Sequence, residues 1–137
     1  MSDSIVPKGL RYWFVAHFIA DYLFAIPLLF FPSEILSFFN WESIDPLATR
    51  LVAAALMGIG GESLIGRNGN AESFLTMLRL KILWSLAANF GIALSIFEGA
   101  APLAWGFQGI FITFSVVWIY YWVYLKKKSK AHTSDLK

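Results

Sequence analysis

Residues 12–31 form an almost unbroken apolar run: 17 of the twenty are apolar or aromatic, and only His17, Asp21 and Pro27 interrupt it. Wound as a helix, about 20 such residues cross a hydrocarbon core of about 30 Å. Backbone in that core must satisfy its own hydrogen bonds, which restricts spanning segments to helices and closed barrels. An ionised Asp at mid-membrane costs roughly 2.5–3.5 kcal/mol on insertion scales, so such residues face protein or a cavity and are paired or used. The run therefore requires a membrane helix, and it requires neighbouring helices that shelter Asp21.

Three more apolar blocks follow in the 137 residues. Only 15% of the chain is charged, against about 25% in soluble domains. A soluble helix would show a polar stripe at the helical period, yet residues 102–125 carry no charge at all. The expected fold is all-α: one integral membrane domain with four transmembrane helices in a bundle. The spans are expected at about 12–31, 46–65, 76–97 and 102–125, with 126–137 as a basic cytoplasmic tail.

The boundaries have local causes. Pro32 and Ser33 close the first span, and its length and the absence of a small-residue cleavage pattern argue for a retained helix over a signal peptide. A stretch from Pro32 to Asp45, rich in Phe and Trp, reads as a short amphipathic turn at the membrane surface. Asp45-Pro46 is a helix start, with Asp as cap and Pro in the first turn. Gly66 to Asn70 is a turn by composition. Ala54 and Gly58, and then Ala87, Gly91 and Ser95, stand four apart, a spacing that lets helices approach closely. The second span is accordingly expected in the bundle interior, beside the third. Arg79 and Lys81 are expected in the first turns of the third span, snorkelling to the interface. The tail is expected to be disordered.

Charge sets the orientation. Lys8, Arg11, Arg67, Arg79, Lys81 and the five tail lysines fall on one side of the alternating spans, and Arg50 alone on the other. Basic residues mark the cytoplasmic side, so both termini are expected there, in the cell membrane. Glu34, Glu42, Asp45 and Glu98 then lie outside. An aromatic belt from Trp118 to Tyr124 ends the fourth span, as at a membrane boundary.

Five residues are candidates for ligand or proton binding. His17 and Asp21 are four apart, hence on one helix face. An imidazole beside a carboxylate can relay protons, or the two can simply satisfy each other. Arg50 is a partner for Asp21 from the outer side, or it snorkels to water. Glu62 is placed to pair with Arg79 or Lys81. Asn89, with Ser85, Gln108, Thr113 and Ser115, supplies hydrogen-bonding groups that join helices or line a site.

Several chemistries are excluded on the residues. The chain has no Cys, so thiol redox, iron–sulfur and thiolate-metal sites are out. Bis-histidine haem needs two intramembrane histidines, and His132 lies in the tail. No cluster of ligands suggests a metal, no phosphate-binding loop follows a strand, and no serine has an evident base. No catalytic residue and no cofactor are expected, and the net charge of +2 carries no nucleic-acid signal.

A proline-terminated first span with an aromatic loop, the segment from Asp45 and Pro46 through Leu47, Ala48 and Thr49 to Arg50, and a glycine-rich second span together resemble the small bacterial and archaeal membrane proteins grouped as DoxX-like. The resemblance covers most of the chain. It implies a four-helix architecture and carries over no functional residue. The functional expectation is a non-enzymatic membrane protein that binds or transports a small lipophilic or cationic molecule near His17 and Asp21. The alternatives are an accessory or assembly subunit held by polar contacts, and a lipid-modifying enzyme with His17 and Asp21 as acid and base. The expected partners are membrane lipids, a small-molecule ligand, and a second copy or another membrane protein.

Overall fold

The computed structural model describes residues 5–134. Lys137, counted above among the tail lysines, lies outside them, and so does the side chain of His132. The order is α1 (Lys8–Phe30), α2 (Pro32–Phe38), α3 (Pro46–Ile65), a single 3₁₀ turn (Gly66–Asn68), α4 (Ala71–Phe97) and α5 (Leu103–Ser134). Four of these helices are long and apolar enough to cross a membrane.

Each end has a chemical cause. Asp45 caps α3: its Oδ1 accepts from the backbone N–H groups of Leu47 at 2.8 Å and Ala48 at 3.1 Å. Asn70 caps α4 in the same way through Ser73. Gly99, at φ 88°, closes α4, with the Ala100 N–H on the Ser95 carbonyl and the Gly99 N–H on that of Ile96. That pair of bonds is the Schellman arrangement, which needs a left-handed residue. Asn40, at φ 59°, closes α2 with the same two bonds, from Trp41 to Leu36 and from Asn40 to Ser37.

Three helix ends differ from expectation. α1 begins at Lys8, a turn before residue 12, because the helix runs on past the apolar stretch. α4 begins at Ala71, a turn and a half before residue 76, because Asn70 supplies a cap that the polar Glu72 and Ser73 disguise as loop. α5 continues past Leu125 through the lysines to Ser134. Lys and Ala favour helix, and Lys126 and Lys128 lie over the rings of Trp122 and Tyr124 one turn back.

The helices form two antiparallel pairs, α1 with α3 and α4 with α5. α1 buries Leu10, Phe14, His17, Asp21, Ala25 and Leu28, spaced at three and four residues as one helical stripe requires. At the end that carries the termini, Leu10 and Phe14 interlock with Phe74 and Leu78 of α4 and with Trp118 and Leu125 of α5. At the opposite end, called the loop end, Ala25, Leu28 and Ala53 join α1 to α3, with Ile35 and Leu36 of α2 packed against them. The pairs are thus locked together at the terminal end; toward the loop end Phe24 of α1 still meets Phe107 of α5 edge to face, and the pairs spread apart beside that contact.

This corrects the placement of the second span. Its neighbour is α1. Ala54 and Gly58 are exposed, and a Cβ added at Gly58 or Gly91 would meet nothing within 4 Å. The close approach instead occurs at Gly60, where an added Cβ would lie 2.7 Å from the Asp21 Cβ. Small residues permit close packing, and their spacing alone does not say which ones are used.

Candidate functional site

Between the spread pairs lies a cleft of about 550 Å³, within the size range of small-molecule sites. At the loop end it is bordered by Trp41, Ser43 and Asp45. Its walls are chiefly aromatic and aliphatic: Phe24, Leu28 and Val52 on one side, Trp84, Ile92 and Phe107 on the other. Its floor is polar and is formed by His17, Asp21 and Lys81, with Ser63 packed behind them.

All four long helices contribute. The inward stripe of α1 carries His17 and Asp21, and the His17 Nδ1 lies 3.1 Å from the Asp21 Oδ2. That contact lacks hydrogen-bond alignment, and Oδ2 is buried without a hydrogen-bond partner. Gly60 of α3 lets the backbone close over this oxygen. Ser63 follows Gly60 on the same face. Its hydroxyl donates to the Ile59 carbonyl at 2.9 Å and lies 3.3 Å from His17 Nδ1.

Lys81 enters from α4 and is only 2% exposed. Its Nζ donates to Ser63 Oγ at 2.6 Å, and it lies 3.4 Å from both the Ile59 carbonyl and His17 Nδ1. The ammonium also sits over the rings of Phe14, at 5.0 Å, and Trp118, at 5.4 Å, where the electron-rich faces stabilise a cation. The His17 ring meets Phe114 and Trp118 nearly at right angles. His17, Asp21 and Lys81 thus form one buried polar cluster, fixed from α5 by aromatic contacts.

The placement of Lys81 overturns the expectation that it snorkels to an interface. Because α4 starts at Ala71, Lys81 is in its third turn and points into the bundle. Nor does Glu62 pair with it or with Arg79: Glu62 and Arg79 are both exposed, and among the described residues the one close contact of a basic with an acidic side chain is that of His17 with Asp21. Arg50 does not reach Asp21 either. It lies at the loop end, and its Nε donates to the Leu29 carbonyl at 3.1 Å. Asn89 lies in the seam between α4 and α5, where its Nδ2 donates to Ser115 Oγ and its Oδ1 accepts from Gln108 Nε2.

Of the five candidates, then, His17 and Asp21 lie at the cleft floor, while Arg50, Glu62 and Asn89 lie elsewhere. The residues that the spacing argument missed are Lys81, Ser63 and Gly60. Lys81 had a readable signal in the cap at Asn70, which moves it a turn deeper. Among the described residues no three His, Asp or Glu side chains cluster to hold a metal ion. Comparison of the chain with protein-family models, with curated proteins and with solved structures gives no match.

Proposed function

We propose that the chain is a multi-pass protein of the cell membrane, with both termini cytoplasmic, that binds a small lipophilic molecule in the cleft without catalysing a reaction on it. The observation that carries this reading is the cleft itself, with apolar walls and a floor set by His17, Asp21 and Lys81. A bundle with a purely structural role needs only filled seams, such as the one at Asn89. An amphiphile with an apolar body and a polar head matches the walls and the floor together.

Two details narrow the expectation. Lys81 beside Asp21 makes the floor unfavourable for a cation, so the lipophilic alternative is preferred to the cationic one. The His17 ring is held in place by the contacts of its Nδ1 and by edge-to-face packing between aromatics, which suits a fixed wall of a binding cleft. The orientation rests on the basic residues Lys8, Arg11, Arg67 and Lys126 to Lys128 at the terminal end.

The test uses the three tryptophans that line the cleft, Trp41, Trp84 and Trp118. Terminally brominated dodecanol is titrated into bilayer nanodiscs holding the protein, and tryptophan fluorescence is followed. Gly91 lines the cleft with free space before it, so Gly91→Phe fills the cleft without a clash. The expected outcome is a component of quenching that Gly91→Phe abolishes. Identical quenching curves for the two proteins would refute the reading.

A further inference from the structure

We infer that the molecule in the cleft is a neutral lipophile headed by a hydroxyl group, which donates to the Asp21 carboxyl. This rests on the cleft reading above and specifies the chemistry of its occupant.

The argument starts from the donors and acceptors at the floor. An ammonium has three N–H donors. Those of Lys81 face three protein acceptors: Ser63 Oγ, the Ile59 carbonyl and His17 Nδ1. The Ser63 hydroxyl is spent on the Ile59 carbonyl. Neither Lys81 nor Ser63 therefore has a free donor to offer a ligand, and with Nδ1 accepting from Lys81 the His17 proton sits on Nε2. Acceptor capacity, by contrast, is in surplus. A carboxylate can accept about four hydrogen bonds, and no described residue donates one to Asp21 in hydrogen-bond geometry. Its Oδ2 is sealed beneath Gly60 and His17. Asp21 lines the cleft, so Oδ1 is the oxygen that meets an occupant. No described residue donates to Oδ1, so an occupant that brings a donor satisfies it.

Charge selects among donors. The floor holds one acid and one amine, Asp21 and Lys81, both in contact with His17 Nδ1. Their formal charges cancel whether the pair is ionised or has exchanged a proton. A cationic head would face the Lys81 ammonium, and an anionic head would face the Asp21 carboxyl. A hydroxyl supplies the donor and adds no charge. From Leu28 to His17 the cleft follows twelve residues of α1, roughly 16 Å over the eleven rises between them, which gives an alkyl chain room above the head.

Three probes separate this inference from its foundation. Dodecyl chains brominated at one end and carrying a hydroxyl, a carboxylate or a primary ammonium at the other are compared at equal mole fraction in nanodiscs. The readout is the quenching that Gly91→Phe removes. The alcohol is expected to reach half-quenching at a mole fraction at least tenfold below the other two. Lys81→Met should move the preference to the ammonium, and Asp21→Asn should move it to the carboxylate. Equal potency of the three heads, or a charged head binding best to the wild-type protein, overturns the inference and leaves the cleft reading intact. If Gly91→Phe changes no probe's quenching, the cleft reading falls and takes the inference with it. The wild-type comparison decides the matter even where a floor variant does not fold.

Discussion

At the scale of single residues, two glycines two positions apart on α3 have opposite surroundings. Gly60 lies against Asp21, with an added Cβ 2.7 Å from the Asp21 Cβ and 2.9 Å from its Oδ2, whereas Gly58 has open space. Gly60→Ala forces α3 off α1, and overpacking of this kind costs about 1–3 kcal/mol. Gly58→Ala removes backbone freedom from the unfolded chain and adds no contact, so it is neutral or stabilising by up to about 1 kcal/mol. Thermal unfolding of the purified variants in detergent checks both: the midpoint should fall for Gly60→Ala and hold or rise for Gly58→Ala. The contrast also separates packing from helix propensity, because the two substitutions are chemically identical.

At the scale of elements, α4 and α5 are held by a polar seam. Asn89 Nδ2 donates to Ser115 Oγ at 2.9 Å, Gln108 Nε2 donates to Asn89 Oδ1 at 2.8 Å, and Ser115 donates to the Phe111 carbonyl at 2.7 Å. Asn89→Leu leaves Gln108 without its acceptor and should cost about 1–3 kcal/mol. Thr113→Val, on the exposed side of α5 where the hydroxyl bonds only the Gly109 carbonyl, should stay within about 0.5 kcal/mol of wild type; chemical unfolding of the two variants compares them. The helices themselves were readable in the sequence because a hydrocarbon-length apolar run has few alternatives. The limit at Pro46 agrees with the cap read there and Phe97 with the end expected for the third span, while Asn70 is hidden as a cap because Glu72 and Ser73 look like loop. His17 and Asp21 were readable because polar residues inside an apolar run stand out. Lys81 was not, since a lysine a few residues into a span normally reaches back to water. Which helices pair was not readable either. Ala54 and Gly58 carry the spacing of a contact face, and the contact is made by Ala53 and Gly60.

At the scale of the whole molecule, the loops at residues 39–45 and 98–102 share one end, where Trp41, Ser43 and Glu98 border a common depression. The chain has no Cys, so single introduced cysteines report without background. In the proposed orientation Ser43→Cys is labelled by an impermeant maleimide in intact cells, and Lys128→Cys only after the membrane is opened; labelling of both from outside would refute it. The spread of the two helix pairs has a further consequence once the protein sits in a bilayer. The competing occupant of the cleft is then an acyl chain, so the entry of any ligand is an exchange of one hydrocarbon for another. Lipid tails are as apolar as a leucine side chain, and such an exchange changes the free energy little. In the proposed function the walls then sieve by length and bulk, and preference among the molecules that pass falls to Asp21 and Lys81. Occupancy would follow the ratio of ligand to lipid in the membrane, and diluting the ligand with extra bilayer would empty the cleft even at constant total amounts of protein and ligand.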